Sequence, residues 1–169
     1  MKMVIKATYT KSRGAAKATL RYITHRPGKD GARTTREILG IDGALDKAQA
    51  YRLIDEAKKG SSFFRIVISP DPEKEDTNRD LYLAQITTHT MLKLEDTLQI
   101  EVPFIAVEHN DHTAHRHVHV LASVSGRLNS THFKLLREAA TQAAITQRQE
   151  RDLALAQKAR IIEEVQWAI

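Results

Sequence analysis

Five of the eight histidines fall within eleven residues, His109-Asn110-Asp111-His112-Thr113-Ala114-His115-Arg116-His117-Val118-His119. Neutral imidazole is the commonest side-chain ligand for a metal, so this density points first to metal chemistry. His117 and His119 flank one valine and open the run His-Val-His-Val-Leu-Ala-Ser-Val, the pattern of a half-buried strand. Alternate side chains of a strand share a face, so these two imidazoles project together, roughly 6.6 Å apart along the chain. Val118, Val120, Ala122 and Val124 then face a core. Residues 102–108 are also strand-like, and Asn110-Asp111 supplies turn chemistry between the two strands. A hairpin that sets His109 opposite His117 brings their Cβ atoms to about 5 Å. Three imidazoles then converge and leave positions on a divalent cation open, as a catalytic site needs. His115 shares the parity of His117 and His119 and competes with His109 as third ligand. His112 has the opposite parity and belongs to the loop. The competing reading is a solvated histidine-rich hairpin that binds nothing, but two histidines locked to one face weigh toward the metal.

The surroundings that must hold this cluster are those of an ordinary globular chain. At 169 residues, with 41% hydrophobic and 28% charged residues, it is long enough to bury a core as one domain. No apolar run approaches a membrane span, and Met-Lys-Met-Val-Ile-Lys is not a signal peptide, so no membrane partner is expected. The absence of cysteine excludes disulfides and thiolate-held zinc and fits a cytoplasmic setting. The net charge of +5 is uneven: residues 1–36 hold ten Lys or Arg against the single acid Asp30, while the rest of the chain sums to −4. A basic segment on a mildly acidic body suggests a surface for a polyanion, although such stretches are often only solvated faces.

Alternation predicts a first strand over residues 3–9. Ser12 can cap a helix reaching His25, where Arg26-Pro27-Gly28 ends it. Arg13, Lys17 and Arg21 recur every four residues on that helix as a basic stripe. Residues 36–41 suggest a short strand, 45–59 a helix with Leu45 on its apolar side, and 62–69 a central strand ended by Pro70-Asp71-Pro72. Asn78 is positioned to cap a helix to Glu95, and after the histidine strands a helix runs from near Thr131 almost to Ile169. That helix closes without a stop signal, which suggests a domain, residues 1–169, forming the N-terminal part of a longer protein. The order β-α-β-α-β-α-β-β-α predicts an α+β fold, with a central, mainly antiparallel sheet flanked by helices and a histidine metal site on a β-hairpin.

The His-hydrophobic-His pair with a third histidine upstream resembles the metal site of the HUH endonucleases. All four tyrosines (Tyr9, Tyr22, Tyr51, Tyr82) precede the cluster, the order found in conjugative relaxases. Ala-Thr-Leu-Arg-Tyr22-Ile-Thr-His-Arg looks like their tyrosine motif, and His109-Asn-Asp111 followed by His117-Val-His119 looks like their metal motif. The similarity covers the first strand and helix and residues 102–124, and is nearest to mobilisation relaxases that use one tyrosine. Leu-Ala-Ser-Val after the pair departs from relatives that often carry an asparagine there.

The resemblance implies a nicking enzyme acting on single-stranded DNA at a transfer origin, with accessory DNA-binding proteins and a secretion-system coupling protein as further partners. It implies one divalent ion, Mg²⁺ or Mn²⁺, on His109, His117 and His119, and Tyr22 as nucleophile with Tyr9 as runner-up. Asp111 is assigned to the catalytic set, and Asp111 or Glu108 would orient a ligand imidazole through its second nitrogen. Cationic neighbours such as Arg21, or the metal, would favour the phenolate. Arg13, Lys17, Arg21 and Arg26 would contact DNA. Read without the resemblance, Tyr22 is a residue packed on the sheet and Asp111 a turn acid. Two other functions compete: a non-nicking DNA-binding module of the same fold, and a metal-dependent phosphodiesterase that uses water.

Overall fold

A computed structural model describes residues 1–71, 73–111 and 115–167. Six strands form one antiparallel sheet: β1 (Met3–Thr10), β2 (Ile38–Gly40), β3 (Gly43–Leu45), β4 (Ser62–Pro70), β5 (Phe104–His109) and β6 (His117–Val124). Their order across the sheet is β1-β4-β6-β5-β2-β3, with every pairing antiparallel. Four helices cover it: α1 (Arg13–His25), α2 (Lys47–Asp55), α3 (Leu83–Leu98) and α4 (Ser130–Trp167). This is the α+β architecture expected from the sequence, including the β5–β6 hairpin.

Two apolar cores lie on the two faces of the sheet. Ile5, Ile66, Val118, Val120 and Ala122 pack beneath α3 and α4, together with Leu136, Ala140 and Ala144 of α4. Phe63, Ile105, Val107 and Leu121 pack on the other face against Ala16, Leu20 and Ile23 of α1 and Ala50 and Ile54 of α2. β6, expected to be half-buried, is therefore covered on both sides over most of its length. The reason is its position between β4 and β5, where each face meets helices rather than water.

Other local differences have identifiable causes. Leu45, expected on a helix, pairs with Ile38 in β3, a strand that the sequence reading did not include. Asp46 then starts α2 through a capping box, its side chain accepting from the Gln49 N–H while Gln49 Oε1 accepts from the Asp46 N–H, both at 2.8 Å. Asn78 does not cap α3, which begins five residues later at Leu83. The cap position is Tyr82, whose N–H and carbonyl are both bonded at 3.0 Å by the side chain of Gln147 from α4. A tertiary contact does what a local cap was expected to do. The last 17 residues of α4, from Arg151 onward, are exposed on all sides.

Candidate metal centre

The site begins at a helix end. In α1, Ser12 Oγ accepts from the Ala15 N–H at 3.1 Å, and Ala16, Leu20, Ile23 and Thr24 form the buried face. Pro27 stands four residues after Ile23 and has no N–H, so the Ile23 carbonyl lacks its helical donor. That oxygen instead accepts from His109 Nε2 at 2.6 Å and from Arg36 Nη1 at 3.4 Å. The next carbonyl, of Thr24, accepts from the Arg36 backbone N–H at 3.1 Å. A proline-terminated helix is thus docked onto the histidine strands through its own last carbonyls.

β5 and β6 set the imidazoles. His109 pairs directly with His117, in the register anticipated from sequence. The ring centroids lie 5.2 Å apart for His109 and His117, 4.6 Å for His109 and His119, and 4.9 Å for His117 and His119. One nitrogen from each ring lies within 4.8 Å of the others. His109 is fully buried and His119 nearly so. Donation from His109 Nε2 to Ile23 selects the tautomer whose lone pair is on Nδ1. His117 Nδ1 lies 2.9 Å from the His115 carbonyl, so donation there puts its lone pair on Nε2. His119 Nδ1 is buried with no hydrogen-bond partner among the described residues. Burial above all, then the neighbouring His109 and His117 and the cations Arg65 and Arg26, pushes the His119 imidazole down to about 3. It therefore stays neutral, the form that ligates.

Three converging imidazoles, two of them oriented by backbone carbonyls and the third neutral by burial, suit a metal ion, and this triad could hold one. Among the described residues the group is His109, His117 and His119. His115 contributes its backbone carbonyl and lines the same cavity, while His112 lies outside the described residues.

Arginine–carboxylate pairs hold the two ends of the hairpin loop. Arg36, itself buried, grips Asp111 with Nη2 at 2.9 Å from both carboxylate oxygens. Arg116 binds buried Asp76 at 2.7 and 2.9 Å and the Leu81 carbonyl at 3.1 Å, and lies 3.7 Å from Glu108. Burial raises the Glu108 carboxyl above its ordinary range, and Arg116 offsets part of that rise. His109 Nε2 and His117 Nδ1 are bonded to backbone carbonyls, whereas the expectation named Asp111 or Glu108. Arg36 appeared in the sequence only as one more basic residue. Its role follows from Pro27, whose missing N–H was the readable signal.

Beside the triad is a cavity of about 570 Å³ lined by Lys6, Arg26, Asp71, His115, His117 and His119, among others. Arg26 connects it to Tyr22, its guanidinium carbon 5.5 Å from the centre of the Tyr22 ring. Tyr22 is 47% exposed and next in the chain to Ile23, whose carbonyl holds His109. Tyr9 belongs elsewhere: it alternates with Lys6 on β1 and shares the face of Ile5 and Ala7, which pack on the opposite core. The basic stripe on α1 is divided. Arg13 donates to the carbonyls of Ile54 and Ala57 at the end of α2, and Lys17 pairs with Asp55 at 2.6 Å. Arg21 is exposed. None of the helices among the described residues is long and apolar enough to cross a membrane. No protein-family model matches this chain, and no curated protein matches it.

Proposed function

We propose that this chain is a metal-dependent DNA relaxase that nicks one strand at a transfer origin through Tyr22. The observation that carries this reading is the position of α1: one turn of helix presents an exposed tyrosine and, at the adjoining residue, the carbonyl that orients a buried histidine of the triad. A structural histidine cluster would not need an arginine that lines the histidine cavity and also packs on an exposed tyrosine.

In this reading the scissile phosphate lies in the cavity, where Lys6 and Arg26 offset its charge. Arg26 also packs on the Tyr22 ring, so the tyrosine stands beside a cation that would meet the phosphate. A divalent ion on His109, His117 and His119, Mg²⁺ or Mn²⁺, would polarise a non-bridging phosphate oxygen and offset developing charge. The phenol loses its proton, its oxygen attacks phosphorus, and the bond from phosphorus to the 3′-oxygen breaks. The departing 3′-oxygen takes up a proton. The 5′-phosphotyrosine that forms is still a phosphodiester, so the 3′-hydroxyl can attack it and rejoin the strand. Arg21 and Arg26 would hold DNA around the cavity, while Arg13 and Lys17 serve mainly to join α1 to α2.

The test is to incubate the protein with single-stranded oligonucleotides spanning transfer origins and with Mn²⁺, then resolve an SDS-resistant protein–DNA adduct. Wild type should form it, and Tyr22→Phe should lose both adduct and cleavage while keeping metal binding. An adduct that survives in Tyr22→Phe overturns the nucleophile. Cleavage without adduct indicates a water-using phosphodiesterase, and neither product indicates a binding module.

A further inference from the structure

The opposite face of β1 carries a second feature that the triad does not use. Tyr9 exposes 65% of its surface on an edge strand, where large apolar side chains are normally avoided. Its ring lies 5.4 Å from that of Phe64 at a tilt of 34°, and Phe64 lies 6.3 Å from Phe133 at the start of α4. These three rings form a graded shelf, from the buried Phe64 and half-buried Phe133 out to the exposed Tyr9. The shelf lines a cavity of about 580 Å³ together with Lys11 and Arg127 and, among the described residues, no carboxylate. Both cations are exposed, and neither has an ion-pair partner among the described residues.

An exposed aromatic with two unopposed cations is the pairing that recognises a base and its phosphate: the ring stacks on any nucleobase and the cations take the backbone charge. Position adds a reason. Lys6 faces the histidine cavity, and Tyr9 follows three residues later on the other face, about 10 Å along the strand. Because β1 is an edge, a single strand can cross it and touch both sites. We infer that the Tyr9 shelf is a second binding surface for single-stranded DNA, with a nucleobase stacked on Tyr9 and its phosphate beside Lys11 and Arg127. This rests on the nucleic-acid reading above and extends it to the part of the strand that lies beyond the nicking cavity.

The experiment measures the affinity of a fluorescently labelled oligothymidylate by anisotropy, in EDTA so that binding is read without cleavage. Tyr9→Ala should weaken binding about tenfold, as expected for removal of one stacked base, while Tyr9→Phe should stay within about twofold. Tyr82→Ala, which removes an equally exposed tyrosine away from the shelf, should also stay within about twofold. The double variant Lys11→Gln/Arg127→Gln, confined to exposed side chains, should flatten the log–log salt dependence by about 0.7 for each phosphate it no longer neutralises. It keeps the question open to refutation if Tyr9→Ala folds poorly. An abasic oligomer should bind wild type and Tyr9→Ala alike. Wild-type affinity in Tyr9→Ala, a loss no greater than in Tyr82→Ala, or the same dependence on Tyr9 with the abasic probe would overturn the inference. Failure of wild type to form any adduct would defeat the nicking reading and leave these binding ratios intact. Adduct formation with undiminished binding by Tyr9→Ala would defeat this inference alone.

Discussion

The two faces of the sheet are built from the same strands and do different work. Beneath α3 and α4 the side chains are apolar from Met3 at one end to Val124 at the other, closed by Leu136, Ala140 and Ala144. Beneath α1 and α2 the apolar packing stops at Val107 and Leu121, and the next residues on that face of β5 and β6 are histidines. Close-packed hydrocarbon on the first face supplies stability. On the second, three imidazoles lie together and the buried His119 Nδ1 has no hydrogen-bond partner among the described residues, an arrangement that costs stability unless something binds there. One face can carry strain because the other does not.

The largest expected effect tests that division directly. His117→Ala combined with His119→Ala should reduce Mn²⁺ binding below detection by calorimetry and, on the proposed reading, abolish the adduct with it. In EDTA, His119→Leu should leave the melting temperature unchanged or raised, because it buries a similar shape without the orphan nitrogen. A drop of several degrees would mean that the histidine face is stabilising in its own right, and the contrast would fail.

Truncating the other face comes next. Leu136→Ala removes a fully buried side chain and should cost about 2–5 kcal/mol in urea denaturation. Its Mn²⁺ affinity should match that of wild type. A large loss of affinity would show that the two faces are coupled through the central strands.

Arg36→Met lies between these extremes, since Arg36 joins α1, β2 and the histidine loop. Loss of the bonds to Asp111 and Ile23 should cost about 1–3 kcal/mol. Metal affinity should fall about 10–100-fold, as for other groups that hold ligands in place. Equal stability loss with unchanged affinity would make Arg36 purely structural.

The smallest effect concerns Asp80, which holds α4 at the rim of the apolar face. The hydrogen bond from Arg148, with a further one from Arg151, keeps its carboxyl below the usual value of 3.8. Because the folded value lies below the unfolded one, this contribution is present above the unfolded value and is lost as pH falls through the folded one. Partly solvated ion pairs are weak, so Asp80→Asn should cost under about 1 kcal/mol at neutral pH. Urea denaturation in acid, below the folded value, should find variant and wild type equal. A difference that persists there would mean that the side chain acts through packing, not charge.

Much of the site could be read from local pattern, because strand parity is a property of the chain itself. Strand parity put His117 and His119 on one face, while the opposition of His109 to His117 was conditional on a hairpin and left His115 in competition. The pairing shows that hairpin and register. Ser12 and Pro27 likewise bounded α1, and the Pro70 break ended β4. Other features depended on groups far apart in sequence. β3, and with it the later start of α2, needed a partner strand for Leu45, and the cap of α3 came from Gln147, 65 residues from Tyr82. The basic stripe looked uniform until α2 took Arg13 and Lys17 and left Arg21 exposed. The sidedness of Tyr9 and Tyr22 was settled in the same way, by which helix covers which face. Periodicity determines what a residue shares a face with. Only tertiary packing decides what covers that face, because the covering elements are placed by burial of their own apolar stripes and not by the residues they come to touch.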